Sequence, residues 1–366
     1  MPVIGHSALQ EMVAGIYAAK GVPATDAKVV SRHQVAANLV GHDSHGVLLT
    51  AQYVRQIEAG EINVAAELAI EAESPGTVVF GGNWGFGYVM TEKAMAVLAA
   101  KAREVGMASG VIRYQGHMGR LGGYAEAAAR DGLIALMTAD SGRGPKAVAP
   151  FGGRTSRLGT NPICVAIPAG VHPPVVLDMA TSSVAVGKLA LARARGEQVG
   201  EGLILDQDGN PTTSPADYFA GGTILPLGGP QGYKGFGLSF IVEILSGLLT
   251  GLGYGVAADG RHNDGSFIAL FDVARFRALA DFRRDVDELI DYIHASPLAP
   301  GSAEVLYPGE VEARTFAGRR EAGIPVEDAT WAGLTGLAEG LGVPIPSARK
   351  ETAQADTIGA GRHDGK

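Results

Sequence analysis

The 366-residue sequence contains one cysteine and no long apolar run. A single cysteine cannot form an internal disulfide, which fits a reducing, cytoplasmic environment. Cys164 lies in the apolar segment 163–167, so we expect a buried side chain. Because no stretch of about 18 apolar residues occurs, no membrane span is expected. The first ten residues also lack the basic region and apolar core of a signal peptide.

Basic residues are outnumbered, 30 against 38 acidic ones, which gives a net charge of −8. This balance argues against nucleic acid or an anionic membrane as the main partner. Two nucleotide-binding signatures are missing from the sequence. No G-x-G-x-x-G follows a predicted strand, and leucine rather than serine or threonine follows Gly187-Lys188. If the protein binds a dinucleotide, we expect it to do so without the Rossmann turn.

Glycine is abundant by contrast, with 53 residues but no low-complexity repeat. Helical periodicity marks both ends of the chain, and short β-rich runs alternate with helical segments between residues 77 and 271. We therefore predict an α/β (α+β) fold. Its expected parts are a helical layer from residues 1–75 together with 281–347, an α/β domain over 76–280, and a disordered tail over 348–366.

The segment Gly-His-Asp-Ser-His-Gly (41–46) places two imidazoles, a carboxylate and a hydroxyl in six residues. Such a cluster is costly to desolvate, and histidine is the side chain best suited to proton transfer near neutral pH. Asp43 or Ser44 is expected to N-cap the next helix, which would place His45 in its first turn and favour a neutral ring. The alternative is an ordinary cap with bystander histidines; we favour a site of proton transfer.

Segments elsewhere, at predicted junctions between strands and helices, offer further polar groups. Residues 116–123 (GHMGRLGG) follow a predicted strand and precede a helix, so His117 and Arg120 are candidates for acid–base chemistry and anion binding. Residues 178–183 (DMATSS) end a strand, where hydroxyls and amides suit a phosphate and Asp178 suits a ribose hydroxyl. Lys234 follows a flexible loop and is a candidate anion ligand. Plain turns, caps and a solvated lysine are the structural alternatives.

Taken in order, six motifs resemble the type-2 malate/L-lactate dehydrogenase family over residues 5–345, nearly the whole chain. They are GHDSHG (41–46), GH-x-G (116–119), APFGGRTSRLGTNP (149–162), LDMATSSVAVGK (177–188), KG-x-GL (234–238) and YPGE (307–310). Within this family the NL-x-GHDSHG start and the GR-x-G loop ending are most similar to hydroxycarboxylate dehydrogenase B. No single motif is specific, but the ordered combination is.

The resemblance implies an NAD(P)-dependent 2-hydroxy acid oxidoreductase with a non-Rossmann fold, NAD or NADP as cofactor, and a homodimeric assembly. It places His45 and His117 at the reaction centre. We expect His45 to be the acid/base and His117 to polarise or position the carbonyl. The predicted cofactor contacts are His45, Arg120, Leu121, Gly122, Asp178, Met179, Ala180, Thr181, Ser182, Lys234, Gly235, Pro308, Gly309 and Glu310.

Two departures from the family pattern concern the substrate. Many members carry arginines where this chain has Leu49 and Gln52, and neither of these can clamp a carboxylate in a bidentate, charged manner. Malate is therefore disfavoured, and an aliphatic or aryl 2-oxo acid is favoured; Arg120, Arg143 or Lys146 would then hold the carboxylate. The predicted substrate contacts are Leu49, Gln52, Tyr53, Met118, Arg143 and Asn161.

The sequence thus predicts reversible hydride transfer between a small 2-hydroxy acid and nicotinamide, with no metal, nucleic acid or membrane partner. Three alternatives stay open at this point. The scaffold could reduce a cyclic imino acid or a diketo sugar acid. It could also be a binding homologue that has lost catalysis. A hydrolase or lyase would need a metal or an activated nucleophile, which Cys164 and the histidine spacing do not supply.

Overall fold

The computed structural model describes residues 1–141, 145–256 and 264–350. Within these ranges the helices are α1 (His6–Ala19), α2 (Ala24–Leu39), α3 (Thr50–Glu58), α4 (Gly87–Val105), α5 (Leu121–Arg130), α6 (Val186–Arg195), α7 (Pro215–Phe219), α8 (Tyr233–Val242), α9 (Leu279–His294), α10 (Glu310–Ala322) and α11 (Asp328–Leu341). A π-helical segment, Glu243–Leu248, extends α8, and 3₁₀ turns span Asp43–His45, Val47–Leu49, Gly229–Gln231 and Val273–Arg275. No helix in these ranges is long and apolar enough to cross a membrane.

The strands are β1 (Pro2–Ile4), β2 (Ala69–Glu73), β3 (Thr77–Gly81), β4 (Met107–Arg113), β5 (Leu133–Ser141), β6 (Ile163–Ile167), β7 (Val175–Met179), β8 (Ile204–Leu205), β9 (Pro211–Thr212), β10 (Thr223–Ile224), β11 (Asp264–Asp272), β12 (Ile324–Pro325) and β13 (Arg349–Lys350). Seven of them form the main sheet, in the order β2-β3-β4-β11-β5-β6-β7. Its only parallel pair in the described chain is β3 with β4. The predicted mixed α/β fold is confirmed.

Alternation along the strands decides what lies on each face of the main sheet. Ile268 and Leu270 of β11 pack with α4 and α5 in a core of small and aliphatic side chains. On the opposite face Gly265 has no side chain, and a Cβ there would lie 2.0 Å from the carbonyl oxygen of Ser246. The π-helical segment therefore lies directly on the sheet, which helix α8 approaches from the same side.

A second core joins the two ends of the chain. Helices α1, α2 and α3 bury apolar side chains with residues of α11 and with Ile324, and β1 pairs with β12 and β13. Helix α9 packs elsewhere, through Ile290 against Ala169 and Tyr307. The division into two domains stays a prediction. Arg349 and Lys350 of the predicted tail form a strand, and residues 351–366 lie outside the described ranges.

The predicted helix cap after the histidine cluster is wrong. Residues 43–45 and 47–49 form two 3₁₀ turns, and α3 begins only at Thr50, with no side-chain cap. Gly46 interrupts the chain with an extended backbone, φ −88° and ψ −156°. The Asp43 carboxylate is bound by Arg319 rather than by a helix terminus. His45 therefore ends a 3₁₀ turn instead of occupying the first turn of an α-helix.

Candidate active site

The rings of His45 and His117 lie stacked, with centroids 5.7 Å apart and planes inclined by 22°. His45 ends the first 3₁₀ turn, whereas His117 lies in the loop between β4 and α5. Long-range folding therefore brings together the two histidines that the sequence assigned to the reaction centre. Proton transfer and carbonyl polarisation both require imidazoles that can approach the same substrate atom, and this arrangement meets that requirement.

Glycines let the His117 loop lie directly on the start of α4. A Cβ at Gly87 would lie 2.1 Å from the carbonyl oxygen of Gly116. Gly119 has a φ of +73°, and a Cβ there would lie 2.3 Å from Cε1 of Tyr88. Larger side chains at either position would push the loop away from α4. Close contact with α4 therefore helps to position the loop.

Hydrogen bonds hold the same loop from two further elements. The backbone N–H of Met118 donates to Oδ2 of Asp264 at 2.9 Å, and the Tyr124 hydroxyl donates to the Met118 carbonyl at 2.7 Å. Asp264 opens β11 and Tyr124 lies on α5. Both neighbours are buried, so these bonds are shielded from competing water. The position of His117 is thus fixed by the sheet and by two helices.

Two buried tyrosines lie behind His117. The Tyr53 hydroxyl is 2.6 Å from Nδ1 of His117 and 3.2 Å from the hydroxyl of Tyr88. Burial raises the pKa of both tyrosines well above the ordinary value of 10, so both hydroxyls stay neutral. Tyr53 was predicted to contact substrate; in the structure it is 1% exposed and its hydroxyl faces the histidine.

Burial lowers the pKa of His45 to about 3, and the nearby His117, His42 and Arg120 act in the same direction. His45 is therefore a neutral imidazole at physiological pH, as the sequence predicted, although for a different reason: desolvation and neighbouring charge replace the expected helix dipole. Its Nδ1 lies 3.1 Å from the Ser44 hydroxyl. A neutral ring can donate or accept a hydrogen bond without adding charge to the site.

Arg120 and Asp178 form a largely buried ion pair beside the histidines. Nε of Arg120 lies 3.5 Å from Oδ2 of Asp178, which also accepts a 2.7 Å bond from the backbone of Gly122. Burial raises the pKa of Asp178, and Arg120 opposes that shift. Nε of Arg120 is buried without a hydrogen-bond partner among the described residues. This arrangement leaves a buried donor for a ligand acceptor.

The other predicted cofactor segments contact β7 or the residues that follow it. The Val176 N–H donates to the Pro308 carbonyl at 2.9 Å, and Gly309, with a φ of +94°, lies against Val176. Farther along, the Leu227 N–H donates to the Thr181 carbonyl at 3.0 Å. A Cβ at Gly235 would lie 2.2 Å from the carbonyl oxygen of Leu227. Segments 120–122, 178–182 and 308–310 therefore lie along β7 and its continuation, and segment 234–235 reaches the continuation through Leu227.

The predicted substrate contacts differ in their burial and in their partners. Gln52 is exposed, Leu49 packs partly against the helical core, and Met118 is 1% exposed. The Asn161 amide donates to the Ser239 carbonyl and to Oε2 of Glu243, each at 3.0 Å. Arg143 lies outside the described ranges. Met118 is therefore buried, and the Asn161 amide is bonded to α8 and the π-helical segment.

A buried charge cluster lies on the face of the main sheet that carries the π-helical segment. Nζ of Lys146 is 3.0 and 3.1 Å from the two carboxylate oxygens of Asp140 and 3.0 Å from Oε1 of Glu243. Its side chain is 1% exposed. Burial raises the pKa of Asp140 to about 6, against the opposing effect of Lys146. The lysine is fully engaged, so it is not available to hold a substrate carboxylate.

In the described ranges no group of three or more histidine, cysteine or acidic side chains could hold a metal ion. Sequence inspection missed Tyr88, Asp264 and Arg319, all of which support the histidines. Tyr88 follows the glycine-rich stretch 81–87, which is a weak signal of close backbone contact. Asp264 and Arg319 carry no local signal because their partners are distant in the sequence.

Comparison with known proteins identifies the family of this chain. Residues 4–335 match the malate/L-lactate dehydrogenase family. The chain is 35% identical over 331 residues to malate dehydrogenase from Pyrococcus horikoshii, covering 88% of this chain and 91% of that protein. It is 33% identical to hydroxycarboxylate dehydrogenase B from Escherichia coli O157:H7, covering 95% of each.

The fold is also shared with a solved structure. Sulfolactate dehydrogenase from Methanocaldococcus jannaschii superposes with a TM-score of 0.85 at 34% identity, covering 94% of this chain and 98% of that one. The match extends over both the helical core and the main sheet, since only a few per cent of either chain is left out. The chain therefore belongs to the malate/L-lactate dehydrogenase family, whose dehydrogenases are oxidoreductases acting on hydroxy acids.

Proposed function

We propose that the protein interconverts a 2-hydroxycarboxylic acid and its 2-oxo acid by NAD(P)-dependent hydride transfer with histidine acid–base catalysis. The observation that carries this proposal is the stacked pair His45–His117 beside the buried, incompletely bonded guanidinium of Arg120. Acid–base groups and an anion-binding cation are the protein groups that such a reaction needs.

The residues at the end of β7 fit a nicotinamide dinucleotide. Arg120 offers a buried Nε–H that is ion-paired with Asp178 but makes no hydrogen bond within the described ranges, and segments 178–182 and 308–310 offer backbone groups along β7. When bound, the nicotinamide supplies the hydride acceptor or donor. We propose NAD as the cofactor, with NADP possible, and attachment without a Rossmann turn. Lys234, at the start of α8, is proposed to meet a negative group of the cofactor.

We propose that His117 carries the transferred proton at Nε2. Its Nδ1 faces Tyr53, which holds the ring and gives the proton on that nitrogen an acceptor. His45, with a pKa lowered to about 3, is a poor base near neutral pH. The roles expected from sequence are therefore exchanged: His45 orients the substrate oxygen by hydrogen bonding, and His117 accepts its proton in oxidation and returns it in reduction.

For the substrate we propose a 2-oxo acid with an apolar side chain. Leu49 and Gln52 cannot form a charged clamp, and Lys146 is buried in its own ion cluster. Arg120 is the cation that we propose for a ligand carboxylate or phosphate. We also propose that the substrate has no second carboxylate, because no other cation described beside the histidines is open to bind one.

We further propose a cytoplasmic homodimer. Several apolar side chains on α8 and the π-helical segment are exposed to solvent, among them Phe240 at 51%, Ile241 at 53% and Leu248 at 48%. Such a contiguous apolar surface is typical of a protein–protein interface. Light scattering coupled to size-exclusion chromatography would give twice the 37.6 kDa chain mass if the assembly is dimeric.

The test of the activity is a spectrophotometric screen of 2-oxo acids with NADH and NADPH in parallel, followed by cyclic imino acids. We expect turnover with at least one aliphatic or aryl 2-oxo acid. His117→Asn should lower kcat by at least about a hundredfold, as loss of a general acid–base group does. His6→Asn, at the start of α1, should leave the rate unchanged. Absence of turnover with every 2-oxo acid would overturn the proposal.

A further inference from the structure

Glu310, the last residue of the turn proposed to contact the cofactor, has its carboxylate occupied by protein donors. Its Oε2 accepts a 2.8 Å bond from Nε2 of His294 and a 3.2 Å bond from the backbone N–H of Tyr307. Its Oε1 accepts a 2.6 Å bond from Nη2 of Arg314. Three of the roughly four acceptor positions of a carboxylate are therefore filled. Because the side chain is also only 11% exposed, it has little capacity left for a ligand hydroxyl.

The charge of Glu310 decides the direction of the His294 bond. Burial by itself would raise the pKa of Glu310, but the bonds from His294, Tyr307 and Arg314 outweigh it and lower the pKa. The carboxylate is therefore ionised at neutral pH. An ionised carboxylate only accepts hydrogen bonds, so Nε2 of His294 is the donor whether the ring is neutral or protonated. Removing the imidazole would leave a largely buried charge short of one donor.

His294 lies in the last turn of α9, and this helix is anchored independently of it. The Asp287 carboxylate, about two helical turns earlier, accepts bonds of 2.8 to 3.3 Å from the backbone N–H groups of residues 170–172. Ile290 packs against Tyr307. Residues 170–172 lie in the connection between β6 and β7. The imidazole is therefore held in place by contacts with the segment that leads into β7.

We propose that His294 is a positioning residue for the turn at residues 307–310. By binding the Glu310 carboxylate it keeps the turn against β7, where the Val176 N–H donates to the Pro308 carbonyl at 2.9 Å. The turn then meets the cofactor with its backbone, and the Glu310 carboxylate is spent inside the protein. His294 acts through Glu310 and does not touch the cofactor. This inference rests on the proposed function, in which the turn contacts the cofactor.

His294→Leu is the direct test, because it removes the donor and keeps an apolar side chain against Tyr307. We expect the Kd for NADH, measured by fluorescence titration, to rise about five- to tenfold, the effect of losing one hydrogen bond to a charged group. His294→Gln supplies an N–H of similar reach and should keep the Kd within about twofold. His294→Ala makes the same comparison as His294→Leu if the leucine variant folds poorly. With saturating NADH, kcat should change less than about twofold in all three variants.

His172→Leu is the matched control. The ring centroids of His172 and His294 lie 6.2 and 5.8 Å from that of Tyr307, and the two side chains are 26% and 29% exposed. Nε2 of His172, however, lies 2.9 Å from the exposed Asp291. The two leucine variants therefore lose the same kind of ring contact, but only one takes a donor from Glu310. We expect the Kd for NADH in His172→Leu to stay within about twofold.

A second readout needs no cofactor. The Tyr307 N–H is bonded to the same carboxylate oxygen as His294, so hydrogen exchange followed by mass spectrometry reports whether the turn is held. We expect the peptide that contains residues 307–310 to exchange faster in His294→Leu than in the natural protein. His294→Gln and His172→Leu should exchange like the natural protein.

Two results would overturn the inference. One is unchanged exchange of the turn in both His294→Leu and His294→Ala. The other is an unchanged or lower Kd for NADH in these variants, which is expected if the released Glu310 carboxylate binds the cofactor itself. If the natural protein binds neither NADH nor NADPH while the exchange of the turn changes as expected, the proposed function fails and the positioning of the turn by His294 stands.

Discussion

Arg319 and Asp43 form a two-pronged ion pair, Nη1 to Oδ1 at 2.8 Å and Nη2 to Oδ2 at 3.2 Å, across 276 residues of sequence. Arg319 lies on α10, which begins at Glu310, the last residue of the turn proposed to hold the cofactor. Asp43 opens the 3₁₀ turn that carries His45, and Asn38 also donates to its carboxylate at 2.6 Å. The pair therefore connects the proposed cofactor turn with one of the two histidines.

Arg319→Ala should disturb His45 more than it disturbs the fold. Both partners are partly exposed, so we expect the free energy of unfolding to fall by only about 1 kcal/mol. We expect kcat/KM to fall about tenfold, because the turn that carries His45 loses its anchor. Arg320→Ala, the exposed neighbour on α10, is the control. Equal activity of the two variants would contradict this role for Arg319.

His45 should make the protein less stable in mild acid. Its pKa is about 3 when folded and about 6.5 in an unfolded chain. The unfolded state therefore binds the extra proton between these values, and the stability present above pH 6.5 is lost as the pH falls. We expect His45→Asn to reduce the loss of unfolding free energy between pH 7 and pH 5 by about 1–2 kcal/mol. Urea unfolding at both pH values measures this; equal losses in both proteins would contradict it.

Lys146→Met should destabilise the fold strongly. The substitution leaves the carboxylates of Asp140 and Glu243 buried without their cation, and such losses cost about 3–5 kcal/mol. Adding Asp140→Asn to Lys146→Met should recover part of this, since it removes one of the two unpaired charges. Lys28→Met is the control, because it makes the same substitution at an exposed lysine of α2. Chemical denaturation at pH 7.5 compares them, and similar midpoints for the two lysine variants would show the cluster to be unimportant.

Arg120→Gln should weaken binding of the reduced cofactor. We expect the Kd for NADH, measured by fluorescence titration, to rise at least about tenfold, because a buried charged hydrogen bond is lost. Arg130→Gln is the control, since Arg130 is an exposed residue of the next helix that pairs with Glu126. Asp178→Asn in the Arg120→Gln background tests whether the unpaired carboxylate, rather than the missing cation, is responsible. Unchanged NADH affinity in Arg120→Gln would place the cofactor elsewhere.

Segments with regular periodicity were predictable. The apolar run at 163–167 coincides with β6, and the helical pattern at 124–130 falls within α5. The polar cluster at 41–46 was recognisable because histidines, aspartate and serine gain nothing from a core. The local conformation there was not predictable, because the carboxylate that looked like a helix cap is bound by an arginine on α10.

The sequence by itself determined the mixed α/β character, the family, and the two histidines, since these depend on local periodicity and on ordered motifs. Tertiary structure alone decided that the two imidazoles stack, that Tyr53 and Tyr88 lie behind one of them, and that Lys146 is enclosed by two carboxylates. The physical reason is that period and composition report which side of a segment is buried. They do not report which distant side chain covers it, because that depends on the order of strands in the sheet and on the packing of its two faces.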